Sequence, residues 1–125
     1  KDMQQLKIIE HFVKQNYTKT NIVPCKTIRD KNGVACSSRN FLLSMNEKNV
    51  ASKIYKFLIS RKKTLVKNRF ALKTLKRKIL KLGATKIDYI QILDINKIIK
   101  PFKQSKKYKI FIAYYLRSIR LIDNI

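Results

Sequence analysis

Acidic residues are scarce in this chain: seven Asp and Glu stand against 30 Lys and Arg, for a formal net charge of +23 over 125 residues. Histidine occurs once, at His11, and cysteine twice, at Cys25 and Cys36, without the CxxC or Cys/His spacing that a zinc site needs. A metal centre built from the chain's own side chains is therefore not expected, and the two thiols are expected to be reduced. No apolar run approaches the roughly 20 residues of a membrane span, and the opening residues lack a signal-peptide pattern. Glycine and proline occur only twice each, so Gly33, Gly83, Pro24 and Pro101 all read as punctuation. What is present is an apolar fraction of 45%, enough for a folded core, which excludes a disordered chain despite the charge.

The charge invites a nucleic-acid reading, and three observations weigh against it. Lysine outnumbers arginine 23 to 7, whereas geometric recognition of phosphate favours the forked guanidinium. Lys, Ile and Asn, all specified by A/T-rich codons, make up 50 of the 125 residues, so base bias alone would produce this composition. The stretch from Lys48 to Lys86 holds no acid, yet its cations fall between apolar helical positions, as on a solvated face. Weak, salt-sensitive adhesion to polyanions is expected at such a charge.

Hydrophobic periodicity predicts an amphipathic helix from Asp2 to about Gln15, with Leu6, Ile9 and Val13 on one stripe and Ile8 and Phe12 beside it. His11 lies in that helix as a surface or core-edge residue. Asn21-Ile22-Val23 reads as a short strand ended by Pro24, Lys31-Asn32-Gly33 as a turn, and Val34-Ala35-Cys36 as extended. Ser44-Met45-Asn46-Glu47 matches a capping box. It opens a helix carrying Val50, Ala51, Ile54, Phe57 and Leu58 and ending near Ser60, with Arg61–Lys67 as a connector. A further helix is predicted from about Phe70 to Leu82, with Leu72, Leu75 and Ile79 inward and Gly83 as its stop. Ile87–Leu93 and Tyr108–Leu116 read as strands, Ser118–Ile125 as a partner of the latter, and Lys97–Phe102 as an edge strand or loop interrupted by Pro101. Two helices followed by antiparallel strands form a small α+β unit.

Two polar clusters carry the chemistry. Lys1-Asp2-Met3-Gln4-Gln5 opens the chain, and Cys36-Ser37-Ser38-Arg39-Asn40 follows the glycine turn. Together they offer an ammonium, a guanidinium, hydroxyls, a carboxylate and amides. Adenylating a carboxylate needs groups of this kind, because ATP must be held in line with the acid and charge on the departing pyrophosphate must be offset. Arg39 suits a bidentate grip on phosphate, Ser37 and Ser38 can donate hydroxyl bonds, and Lys1 adds a point charge. Gln5, one helical turn from Lys1, would face the same side and suits a hydroxyl or carboxylate. On residue types alone, an ordinary loop and an ordinary helix start explain the same letters.

Their order is more specific. KDMQQL, then TIRDKNGVACSSRNFLLS, then DYIQILD and a closing RLIDN resemble the carboxyl-terminal portion of the pantoate–β-alanine ligase family. The likeness covers nearly the whole chain, densest over the first 45 residues and weakest between Lys48 and Lys86. It implies an α/β protein: residues 1–40 would finish a Rossmann-like nucleotide-binding domain, and residues 41–125 would form a small α+β lid domain. It also implies a cytoplasmic, dimeric ligase that condenses pantoate with β-alanine through a pantoyl-adenylate, releasing AMP and pyrophosphate with ATP as substrate and Mg2+ as helper. Carried over by position, Lys1 and Asp2 would contact ATP at its phosphates and near its ribose, and Gln5 would hold pantoate. Ile28 would contact the nucleotide through its backbone, and Cys36, Ser37, Ser38 and Arg39 would close over the phosphates.

The chain departs from the family pattern in three ways. The HxGH segment with the family's histidines is absent, as is the Gly-Glu that precedes the lysine; Lys26 stands where proline is usual, and Cys36 where Met or Leu is usual. The chain is therefore expected to be part of a longer protein, with no catalytic residue of its own and no turnover alone. The alternative is a small basic nucleic-acid-binding module using Tyr108, Phe111, Tyr114 and Tyr115 to stack bases; an inactive gene remnant is the third reading. Convergence of Lys1, Gln5 and Arg39 across a cleft would favour the ligase, and exposed aromatics on a concave basic face would favour the module.

Overall fold

The computed structural model describes residues 1–65, 71–95 and 108–125. Helix α1 spans Met3–Asn16, a single 3-10 turn spans Ser38–Leu42, α2 spans Met45–Leu65 and α3 spans Ala71–Lys81. Strands β1 (Lys86–Asp94), β2 (Tyr108–Leu116) and β3 (Ile119–Asn124) form one antiparallel sheet in the order β1-β2-β3. The expected fold class holds: helices lead into a small antiparallel sheet.

Each start and stop has a local cause. The Asp2 carboxylate accepts from the Gln5 backbone N–H at 3.3 Å, satisfying one of the free donors at the start of α1. The capping box forms as expected. Ser44 gives its N–H and its hydroxyl to Glu47 Oε2, each at 2.7 Å, and the Glu47 N–H returns to Ser44 Oγ at 3.3 Å. These bonds hold the Glu47 carboxyl below its usual range. Gly83, at a φ of +119°, closes α3 by donating to the Leu80 carbonyl at 3.0 Å.

Two expectations need correction. The helix expected to end near Ser60 continues to Leu65, so Arg61–Leu65 is helical rather than a connector. Lysine and arginine are good helix formers, and Leu65, 4% exposed, adds a buried anchor two turns beyond Leu58. Asn21–Val23 is not a strand: Val23 is 79% exposed and nothing among the described residues pairs with it, so its backbone is left to water. Among the described residues, the pairing in this region is an isolated bridge, Arg29 with Ala35. The reading of Lys97–Phe102 lies outside the described residues.

The core sits between α2, α3 and the sheet. Ala51, Ile54 and Leu58 of α2 and Leu75 and Ile79 of α3 pack against Ile90, Ile110, Ile112 and Leu116, all buried. β2 is central and covered on both faces, so its run of apolar residues is continuous rather than alternating. By contrast α1 has no buried residue; Ile8 is 70% exposed and Phe12 52%, as expected for a helix whose apolar stripe lacks a partner. Among the described residues no helix is long and apolar enough to cross a membrane.

Candidate functional site

The Asn32-Gly33 turn sets the approach to the second polar cluster. Asp30 holds it: its carboxylate accepts from the N–H groups of Asn32 (2.8 Å) and Val34 (3.0 Å), and its carbonyl from Gly33 (2.9 Å). Gly33 has a φ of +88°, and a Cβ there would lie 2.1 Å from the Tyr55 ring, so both conformation and contact require glycine. The chain then returns antiparallel to Ile28, whose carbonyl accepts from the Cys36 N–H at 2.9 Å. Ser37 caps the 3-10 turn, accepting from the Arg39 N–H, and Asn40 Nδ2 ties back to the Ala35 carbonyl at 3.1 Å.

Onto this loop the opening lysine folds back. Lys1 Nζ donates to the Cys36 carbonyl at 2.8 Å, across 35 positions of sequence. Lys1, Ser37, Arg39 and Asn40 line one cavity of about 20 Å³ whose apolar floor includes Ala51 and Ile54. That volume holds a single water, so a nucleotide would lie over its rim. Asn40 Oδ1 is the one buried side-chain polar atom among the described residues without a protein partner. Burial, and then the charge of Arg39, pull the Lys1 ammonium below its ordinary pKa, against opposing pulls from Asp123, Cys36 and Asp2. Two cations drawn together with too little carboxylate nearby form a place where an anion is welcome.

Of the eight residues singled out in the sequence, Lys1, Ser37 and Arg39 share this cavity. Cys36 and Ile28 join it through backbone hydrogen bonds, although their side chains are exposed. Asp2 caps α1, and Ser38 is exposed in the 3-10 turn. Gln5 is exposed and does not line the cavity. A larger hollow of about 470 Å³ lies between the end of α1 and residues 17–22, with none of the eight among its lining.

The polar centre behind the site was not singled out in the sequence. Arg29 forms a bidentate ion pair with Asp123, at 2.7 and 2.9 Å, and its guanidinium lies 4.5 Å over the Tyr55 ring. Burial lowers the Arg29 pKa, but the hydrogen bonds and charge of Asp123 outweigh it, and the net shift is upward. Asn124 Nδ2 donates to the Lys1 carbonyl, while Asn124 Oδ1 accepts from Lys109 Nζ at 3.0 Å. Arg120 pairs with Asp88 at 2.7 Å, so the closing RLIDN has a structural role. The one available signal was the RLIDN motif itself, and only its partners explain it.

The aromatic residues offered for base stacking are packed instead. Phe111 is 3% and Tyr114 5% exposed, Tyr108 and Tyr115 are half-buried, and burial raises the Tyr114 phenol far above its usual pKa. His11 is exposed on α1. Among the described residues no three His, Cys, Asp or Glu side chains gather as a metal cage.

Residues 1–125 match the family model described as pantoate-beta-alanine ligase. The pantothenate synthetases of Endomicrobium trichonymphae and Caldicellulosiruptor bescii are each 37% identical over the whole chain, which covers 45% and 46% of their lengths. The chain thus spans about half the length of the curated relatives it matches. A solved pantoate-beta-alanine ligase from Francisella tularensis, complexed with beta-gamma ATP and beta-alanine, is 35% identical with a TM-score of 0.70, and the chain covers 40% of it. Pantothenate synthetase from Thermus thermophilus shares the fold at a TM-score of 0.85 and 24% identity, the chain covering 46% of it.

Proposed function

The chain belongs to the pantoate–β-alanine ligase family, and from that premise we propose that it supplies the phosphate-gripping part of an ATP-dependent ligase that joins pantoate to β-alanine. The observation that carries this is the Lys1 Nζ bond to the Cys36 carbonyl, which brings two remote clusters to one cavity shared with Arg39. In the proposed reaction the pantoate carboxylate attacks the α-phosphorus of ATP, and pyrophosphate leaves. The β-alanine amine then attacks the acyl carbon of the pantoyl-adenylate and AMP departs. Arg39 grips phosphate oxygens with two parallel N–H bonds, Ser37 and Ser38 add hydroxyl donors, and Lys1 offsets charge on the leaving pyrophosphate. Asp2 is assigned to the ribose side, the Ile28 and Cys36 backbone to the nucleotide, and Gln5 to pantoate.

Residues 1–40 are assigned to a nucleotide-binding domain and 41–125 to a lid domain, in a cytoplasmic homodimer. Among the described residues no side chains gather as a cage for Mg2+, which would arrive with the triphosphate. The chain carries no HxGH, so it is proposed to be inactive alone.

An assay of AMP release with pantoate, β-alanine and MgATP tests both parts. No turnover is expected from the chain alone. Turnover is expected when an HxGH-bearing amino-terminal half from a relative is fused to it, and Arg39→Met in that fusion should reduce kcat about a hundredfold, the effect of losing one transition-state donor. Turnover by the chain alone would refute its inactivity. A folded fusion that binds ATP but forms no AMP would refute the ligase assignment.

A further inference from the structure

The end of β3 touches both halves of the site. Asn124 is 3% exposed and uses both ends of its amide, Nδ2 toward the Lys1 carbonyl and Oδ1 toward Lys109 Nζ. One residue earlier, Asp123 receives both prongs of Arg29, which also donates to the Gly33 carbonyl at 3.0 Å. Arg29 and Gly33 frame the loop leading into Cys36–Arg39, so one strand end holds the lysine segment through Asn124 and the Ser-Ser-Arg loop through Asp123. That strand end is itself fixed. Asn124 is paired with Phe111 in the register of β2, and Ile110 and Ile125 exchange backbone bonds at 2.9 Å each.

We infer that Asn124, Asp123 and Arg29 are positioning residues that set Lys1 and Arg39 side by side over one cavity. The consequence for nucleotide affinity rests on the ATP-site reading above; the consequence for geometry does not. The chemistry at position 124 is restrictive. The Lys1 carbonyl needs a donor and the Lys109 ammonium an acceptor, and an amide supplies both where a carboxylate supplies only acceptors. At Arg29 the fork matters as well as the charge, because lysine cannot span both oxygens of Asp123.

The test uses the folded chain, its Asn124→Asp and Arg29→Lys variants, and Glu10→Gln as a control that breaks the Lys7–Glu10 ion pair on α1, neither residue of which lines the cavity. Two quantities are read: the nuclear Overhauser contact between the Lys1 side chain and Cys36, and the dissociation constant for MgATP by calorimetry. Asn124→Asp and Arg29→Lys should weaken or abolish the contact and raise the MgATP constant by about tenfold, the effect of one misplaced charged hydrogen bond. Glu10→Gln should change neither, whatever it does to melting temperature. Retention of both the contact and the affinity in Asn124→Asp and Arg29→Lys would overturn the inference, as would equal losses in Glu10→Gln. If the parent chain binds no MgATP, the ATP-site reading fails, while the Overhauser contact alone still decides whether the strand end positions Lys1. Should Asn124→Asp not fold, Arg29→Lys decides by the same two readouts.

Discussion

Along residues 43–125 the chain buries side chains from both helices and all three strands, with Ile79, Ile110 and Ile112 at 0% exposure. Along residues 1–42 it buries one, Ala35. Yet every residue assigned to the nucleotide lies in the second stretch. The first region is held by apolar area removed from water, the second by a few directional bonds to the end of β3. The difference teaches that this site is placed by polar clamps on a hydrophobic base, so its geometry and the stability of the fold should respond to different mutations.

Breaking the base should give the largest effect. Ile54→Ala, in the centre of α2 at 1% exposure, should destabilise the chain by about 3 kcal/mol through lost burial and the cavity left behind, measured by denaturant unfolding. Asp123→Ala should cost about 2–3 kcal/mol, because it strands the Arg29 guanidinium, and the pair's side chains are still 19% and 12% exposed, which trims the penalty below that of a dry pair. Unlike Ile54→Ala, it should also loosen the loop that bears Arg39. Gly33→Ala should cost about 2 kcal/mol by the same measurement, from a left-handed backbone and a forced shift of Tyr55 off Arg29.

Phe12→Ser on the exposed face of α1 should stay within about 0.5 kcal/mol, and a larger loss would show that α1 is packed as the core is.

The smallest effect concerns pH. The Lys1 ammonium is disfavoured in the folded chain, so it loses its proton below the ordinary value of 10.5. Between the folded pKa and 10.5 the unfolded chain binds more protons, so stability should rise slightly with pH there, while MgATP affinity should fall over the same range. Lys1→Met should remove both trends in a titration by calorimetry.

Local rules were readable and long-range ones were not. The capping box at Ser44 and Glu47, the turn at Asn32-Gly33 and the stop at Gly83 are each fixed within four residues, and each forms as read. β2 and β3 were readable from β-prone residues around a short connection at Arg117-Ser118. The end of α2 was misread because a basic run resembles a connector, although Leu65 sits two turns from Leu58 on the same face. Asn21–Val23 was misread because β-propensity describes a residue's fit to a sheet and says nothing of whether a partner strand exists. The Arg29–Asp123 pair joins residues 94 positions apart, and no spacing rule reaches that far. The pairing of Lys1 with the Cys36 loop was anticipated only because the order of motifs resembled a family.

The most direct test is to titrate MgATP into the isotope-labelled chain and follow every backbone amide by NMR. Shifts concentrated at residues 1–5, Ile28 and Cys36–Arg39, saturating at one nucleotide per chain, are the expected result. Shifts spread over the exposed lysines of α2 and α3, with those residues unmoved, would mean that the chain meets nucleotide only through its net charge, and the proposed site would be wrong.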